Sequence, residues 1–183
     1  MRTVGGNILL DAKYILNKAQ IGENMRVADL GCGASGHFVF SSADLVGKDG
    51  KVYAVDILKT VLETINRRIR QDAYENIETI WTNLEVFNAT KIESGSLDVG
   101  FLINTLYQSH KRAEILRESA RMLKKNGNLL IVEWKNSASP FGPPADERVK
   151  ADLMKIAARK LGLDLKEEFE AGQYHYGMLF VKM

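Results

Sequence analysis

Residues 27–38 read VADLGCGASGHF: an apolar run that ends in an acid and passes into three glycines, Gly31, Gly33 and Gly36. The pattern predicts a strand, a tight turn and a helix. Glycine is required in such a turn because the backbone adopts conformations that a Cβ forbids and lies close to a ligand. The free N–H groups at the start of the following helix attract an anionic group. Taken literally, the spacing is the dinucleotide fingerprint G-x-G-x-x-G. Asp29 points elsewhere, because a carboxylate two residues before the first glycine repels a pyrophosphate.

A ligand carrying both an ammonium and a carboxylate fits this loop better. Asp29 attracts the ammonium, directly or through water, and the Gly33 to Gly36 amides take the carboxylate. The amino-acid end of S-adenosylmethionine has this character. The alternative is a glycine turn that merely joins strand to helix. A second signal lies at Lys51 to Asp56, KVYAVD, where an apolar strand ends in an acid 20 residues beyond Gly36. That is the spacing of a βαβ unit whose second strand offers a carboxylate to ribose hydroxyls. Asp56 is the candidate ribose clamp; its other reading is a helix N-cap for the segment starting near Leu58.

With these stretches in place, the chain resembles the class I S-adenosylmethionine-dependent methyltransferases over nearly its whole length. DLGCGASG is similar to their first motif and VYAVD to their second. The blocks SLDVGFLINTLY and ARMLKKNGNLLIVEW are similar to their fourth strand, following helix and fifth strand. Among subgroups the resemblance is to small stand-alone enzymes of the quinone-biosynthesis type. It implies a polar residue after the third strand at the adenine ring, where Asn83 stands in place of a common Asp and Leu84 adds apolar contact. It also sets Asn104 beside the sulfonium. The cofactor-binding set is thus Asp29, Gly31, Cys32, Gly33, Gly36, Asp56, Ile57, Asn83, Leu84 and Asn104, with S-adenosylmethionine as donor and S-adenosylhomocysteine as product. Asn104-Thr105-Leu106-Tyr107 lacks both prolines of the Asn-Pro-Pro-Tyr motif, which disfavours exocyclic-amine chemistry.

Composition agrees with one domain spanning 1–183, since 183 residues with 45% hydrophobic content bury one substantial core. The balance of 25 basic against 23 acidic residues gives a formal charge of +2. That marks neither duplex nucleic acid nor an anionic membrane as partner. No apolar stretch approaches the roughly 18 residues of a membrane span, and Met1 to Gly6 lacks the features of a signal peptide. The expected location is the cytoplasm. Cys32, the only cysteine, excludes an intrachain disulfide and a cysteine metal cluster and reads as a small filler; no metal is expected.

Apolar strands alternating with helical periodicity predict an α/β fold: a Rossmann-like, doubly wound, mostly parallel seven-stranded sheet with an antiparallel final strand. Strands are expected near 26–30, 51–56, 77–82, 97–103, 128–134, 164–170 and 174–182. Helices are expected near 11–19, 38–46, 58–73 and 111–124. A last helix is expected from Asp146, with Val149, Leu153, Ile156, Ala157 and Leu161 on its buried face and Gly162 as its stop. The three residues Ala171 to Gln173 join only antiparallel neighbours. The reversed strand therefore starts at the end where open α/β sheets bind ligands, bringing Tyr174, His175 and Tyr176 to the rim, with His175 facing opposite to both tyrosines.

All three prolines fall in NSASPFGPPA, residues 136–145, which is a lid, a functional wall or a stiff crossover. Met1 to Gly6 is a second candidate cover. His37 is expected near the methionine end of the cofactor, and Asp98, at the far end of its strand, is structural. The acceptor pocket is read as walled by Tyr107, His110, Trp134, the proline loop and residues 174–176. His110, His175, Tyr107 and Glu133 are candidates for a base, and none is assigned. The function read here is methyl transfer to a small molecule. The alternatives are a methyltransferase for RNA or protein, and a non-catalytic module that binds S-adenosylmethionine or a dinucleotide.

Overall fold

The computed structural model describes residues 9–183. Seven strands form one sheet in the order β3-β2-β1-β4-β5-β7-β6. Their ranges are β1 Arg26–Leu30, β2 Lys51–Asp56, β3 Ile77–Trp81, β4 Leu97–Ile103, β5 Leu123–Trp134, β6 Leu163–Gly172 and β7 His175–Lys182. β1 to β5 pair in parallel, and β7 runs antiparallel to both β5 and β6. One strand is therefore reversed, as its short connection requires.

Helices cover both faces. On one side α1 (Ala12–Lys18), α2 (His37–Val46) and α3 (Lys59–Gln71) bury Ile15, Leu16, Phe38, Val39 and Ile65 against Val27, Val52, Phe101 and Val132. On the other, α4 (Arg112–Met122) and α5 (Ala151–Lys160) bury Leu116, Met122 and Ala158 against Leu30, Leu102, Ile131 and Phe180. Strand residues alternate between these two clusters, as the period of two demands. Strand order reverses between β1 and β4, and the crevice at such a switch point is where open α/β sheets take their ligands.

Two expectations need correction. β5 begins at Leu123 rather than Asn128, because Leu123 leaves α4 extended and pairs with Leu97 across an irregularity in the ladder. The last helix begins at Ala151 rather than Asp146, because the residues before it are held as loop. Arg148 donates into loop carbonyls, and the Tyr176 hydroxyl donates to the Val149 carbonyl at 2.8 Å. The helix consequently turns Met154 and Ala158 inward and leaves Leu153 and Ile156 each 56% exposed.

Among the described residues no helix is long and apolar enough to cross a membrane. The Met1 to Gly6 cover lies outside the described residues. The first ones described, Leu9 and Leu10, pack against Gly172 at the end of β6, and the Leu10 carbonyl bonds the His37 imidazole at 3.0 Å.

Candidate active site

The three glycines of the loop have different duties. Gly31 (φ +93) faces Thr105, whose side chain lies 2.7 Å from where a Cβ would stand. It keeps the ends of β1 and β4 together, a contact tied by Thr105 Oγ1 donating to the Leu30 carbonyl at 3.0 Å. Gly36 (φ +56) is the N-cap of α2 and fits under Phe40 and Ile65. Gly33 (φ +64) has nothing within 4 Å of its Cβ position, so its absent side chain faces the crevice rather than a neighbour.

Asp56 ties this loop to β2. Its Oδ2 accepts from the Gly33 amide at 3.1 Å and its Oδ1 from the Leu58 amide at 2.9 Å. The second bond is the helix-entry role weighed from the sequence, two residues before the cap itself, which is Leu58. Each carboxylate oxygen has a further lone pair to offer a ligand hydroxyl. The Gly36 amide donates back to the Gly33 carbonyl at 3.2 Å. Two of the amides expected to take a ligand carboxylate are thus engaged within the loop, and Ala34 and Ser35 supply the remaining ones.

Asp29 is 2% exposed and its Oδ2 has no hydrogen-bond partner among the described residues. Burial, and then the charge of Asp56, push its carboxyl up to about 7. An unpartnered buried carboxylate is costly unless a cation or donor meets it. Cys32 beside it is fully buried, and burial pushes its thiol well up, so it fills space as a neutral group.

Gly31, Gly33 and Asp56 share a cleft of about 340 Å3 with Ile57, Leu58, Val61, Thr82, Asn83, Leu84 and Ile115. Asp56 and the glycines stand at one end, and Thr82, Asn83, Glu85, Thr105, Gln108 and Ser109 set polar groups among the apolar ones of the remaining wall. Asn83 Oδ1 accepts from the Glu85 amide at 2.9 Å in a local turn. Asn104 takes φ +54 just past β4, its amide donates to the Val132 carbonyl at 2.9 Å, and it is 6% exposed.

The rim beyond β4 sorts the acceptor-side candidates. His110 is exposed, on the turn before α4, and joins no wall. Glu133 is fully buried; its Oε1 accepts from the Leu106 amide at 2.6 Å, and burial pushes its carboxyl up to about 8. His175 is buried on the face of Asp29, paired across strands with Trp134. Tyr176 is turned to the other face, where it lines a groove with Val149 and Asp152. Tyr174 meets Phe141 of the proline loop edge-on at 5.7 Å between ring centroids. At the opposite end of β4, Asp98 accepts from the Arg26 amide and from Lys124, and belongs to the scaffold.

Sequence reading missed two charged anchors. Arg148, 7% exposed, donates to the carbonyls of Lys135 (2.7 Å), Pro143 (3.0 Å) and Ser137. Glu118 accepts from the amides of Asn88 and Thr90 and from Arg121. The only available signal was an Arg just past the proline run and a Glu-x-x-Arg spacing, which also describes an ordinary surface pair.

A methyltransferase domain family matches residues 21–174. The chain belongs to that family. The demethylmenaquinone methyltransferase of Lactococcus lactis is 28% identical over 143 residues, covering 78% of this chain and 55% of that protein. The chain thus spans about half the length of the curated relatives it matches. A SAM-dependent methyltransferase from Aquifex aeolicus has the same fold, with a TM-score of 0.88 at 22% identity over 98% of this chain and 94% of that one. The cyclase SpnF also shares it, with a TM-score of 0.78 at 10% identity, over 93% and 80%. The fold alone therefore does not set the chemistry, and the residues of the crevice have to.

Proposed function

We propose that this chain transfers a methyl group from S-adenosylmethionine to a small-molecule acceptor. The observation that carries the reading is the buried Asp29 carboxylate, one oxygen unpartnered among the described residues and within electrostatic reach of Asp56, near the end of β1 at the switch point of a methyltransferase-family sheet. An ammonium satisfies that oxygen where a phosphate cannot. When bound, S-adenosylmethionine supplies a methyl carbon already activated by a positive sulfur.

The residues of this chain supply position. Asp29 holds the ammonium, and Asp56 accepts the ribose hydroxyls while keeping its bonds to Gly33 and Leu58. Ile57 and Leu84 enclose the adenine ring, Asn83 meets its polar edge, and the Ala34 and Ser35 amides face the carboxylate. Asn104 closes the sulfonium end. Holding donor and acceptor in line and excluding water is the principal catalytic contribution available here.

The relatives' names speak of quinone biosynthesis. A planar, ring-bearing small molecule is accordingly the acceptor class within this reading, entering over the ends of β4, β5 and β7.

Calorimetry with S-adenosylhomocysteine, S-adenosylmethionine and NAD tests the donor. The two sulfur nucleosides should bind one to one and NAD should not compete. Binding of NAD with no affinity for either nucleoside would overturn the reading.

A further inference from the structure

The end of the sheet beyond β4 carries a second buried polar group, distinct from the cofactor cleft. Trp134 is the last residue of β5 and His175 the first of β7. They are direct cross-strand partners, their ring centroids 4.1 Å apart and their planes at 42°. Both side chains share the sheet face of Asp29 and Asp56. Trp134 continues the alternation of Leu130 and Val132, as Asp29 continues that of Val27 and Asp56 that of Val52 and Ala54. All four residues stand at the carboxyl rim of the parallel strands.

Trp134 is 2% and His175 0% exposed. Even so, the indole Nε1 and both imidazole nitrogens have no hydrogen-bond partner among the described residues. Bulk alone would be served by a phenylalanine at either place. Buried polar atoms in folded proteins nearly always have partners, and a cluster of exceptions calls for an explanation. What covers the indole is specific: Gly142 of the proline loop (φ +84) lies so close that a Cβ there would stand 2.6 Å from the ring. Arg148 ties down that loop through the carbonyls of Lys135, Ser137 and Pro143. Burial, and then the charges of Lys135 and Arg148, lower His175 to about 4, so the imidazole is neutral at physiological pH.

The three nitrogens make a definite recognition set. An indole N–H only donates, whereas a neutral imidazole has one N–H and one bare nitrogen. A hydroxyl group complements two of them, its oxygen accepting from Trp134 and its proton going to the bare nitrogen of His175. The surrounding rings suit a flat molecule. We propose that Trp134 and His175 are the acceptor-recognition pair, holding a hydroxyl of a planar methyl acceptor beneath the Gly142 turn, which lifts to admit it. This rests on the methyl-transfer reading above, and it assigns the pair to positioning rather than to proton removal.

The test uses the full chain saturated with S-adenosylhomocysteine and titrated with 2-naphthol, with naphthalene as control. The indole N–H resonance of Trp134, assigned by its loss in Trp134→Phe, should shift with 2-naphthol and stay fixed with naphthalene. His175→Phe should weaken 2-naphthol about tenfold or more. His175→Gln, which keeps a donor and an acceptor, should stay within about threefold of the parent. Trp134→Phe gives a second reading if His175→Phe does not fold. S-adenosylhomocysteine affinity should change by less than about twofold in all variants, because the pair contacts acceptor and not nucleoside. Equal 2-naphthol affinity in parent and His175→Phe overturns the assignment. So does the absence of any 2-naphthol binding together with an unmoved indole resonance. If the parent fails to bind S-adenosylhomocysteine, the methyl-transfer reading falls; the 2-naphthol titration, run without nucleoside, still decides the pair.

Discussion

Asp29 gives the site a pH signature. Its carboxyl, raised to about 7 by burial and by Asp56, is mainly protonated in mild acid and cannot then attract an ammonium. Calorimetric affinity for S-adenosylhomocysteine should therefore rise between about pH 5.5 and 7.5 as that proton leaves. Asp29→Asn should bind weakly and without this slope; a retained slope would remove Asp29 from the ligand. Asp56→Ala should weaken the same nucleoside by about 1.5–3 kcal/mol, with part of the loss passing through the Gly33 and Leu58 amides it releases. The glycines should separate by readout. Gly31→Ala drives a methyl into Thr105 and should lower the thermal midpoint. Gly33→Ala meets no protein atom; it should cost about 1 kcal/mol of backbone strain and reduce nucleoside affinity far more than stability. A midpoint lowered more by Gly33→Ala than by Gly31→Ala would reverse these roles.

At the level of elements, two charged anchors hold loops that carry no regular structure of their own. Arg148 has loop carbonyls rather than a carboxylate as partners, so Arg148→Ala should speed amide exchange across residues 136–147 while the β1 and β4 amides stay protected. Uniform acceleration over the sheet would mean that the loop is not an independent unit. Glu118 is fully buried against Arg121, and Glu118→Ala should cost roughly 3–5 kcal/mol by taking the carboxylate from that guanidinium and from the Asn88 and Thr90 amides. These anchors also explain which parts of the molecule were legible in its sequence. Most strands could be read because they are apolar runs bounded by acids, glycines or helical periodicity, although the β6 stretch LDLKEEFEAG is largely charged; Asp29 and Asp56 could be read because strand-terminal acids flank the loop. The start of α5 and its buried face could not be, since the residues before it are fixed by Arg148 and Tyr176, partners distant in sequence or hidden within a loop. Alternation gave the facing of His175. It could not reveal that Gly142 would sit on the indole beside it, because a strand pattern says nothing about what covers a face.

For the whole molecule, stability should depend on pH through groups buried at the rim. Glu133, pushed up to about 8 by burial, takes up protons on folding. Its contribution is complete below the ordinary carboxyl range and is lost as pH rises toward 8. Asp29 acts with the same sign up to about 7. His175, lowered to about 4, acts oppositely: its contribution is present above the ordinary imidazole value and is lost as pH falls toward 4. Urea midpoints should therefore decline from about pH 6.5 to 8 and level off above it, and Glu133→Gln, which keeps an oxygen for the Leu106 amide, should flatten that decline; an unchanged slope would exonerate Glu133. The sheet order β5-β7-β6 bears on synthesis as well. β7 is made last of the three yet lies between the other two, so when β5 and β6 have left the ribosome β6 has no partner and β5 is paired on its β4 side alone. A chain stopped at Gln173 should remain protease-sensitive with an unpaired β5 edge. In the cell the sheet closes only once residues 175–182 have cleared the exit tunnel, and until then every nascent copy offers the same open edge to its neighbours on the polysome.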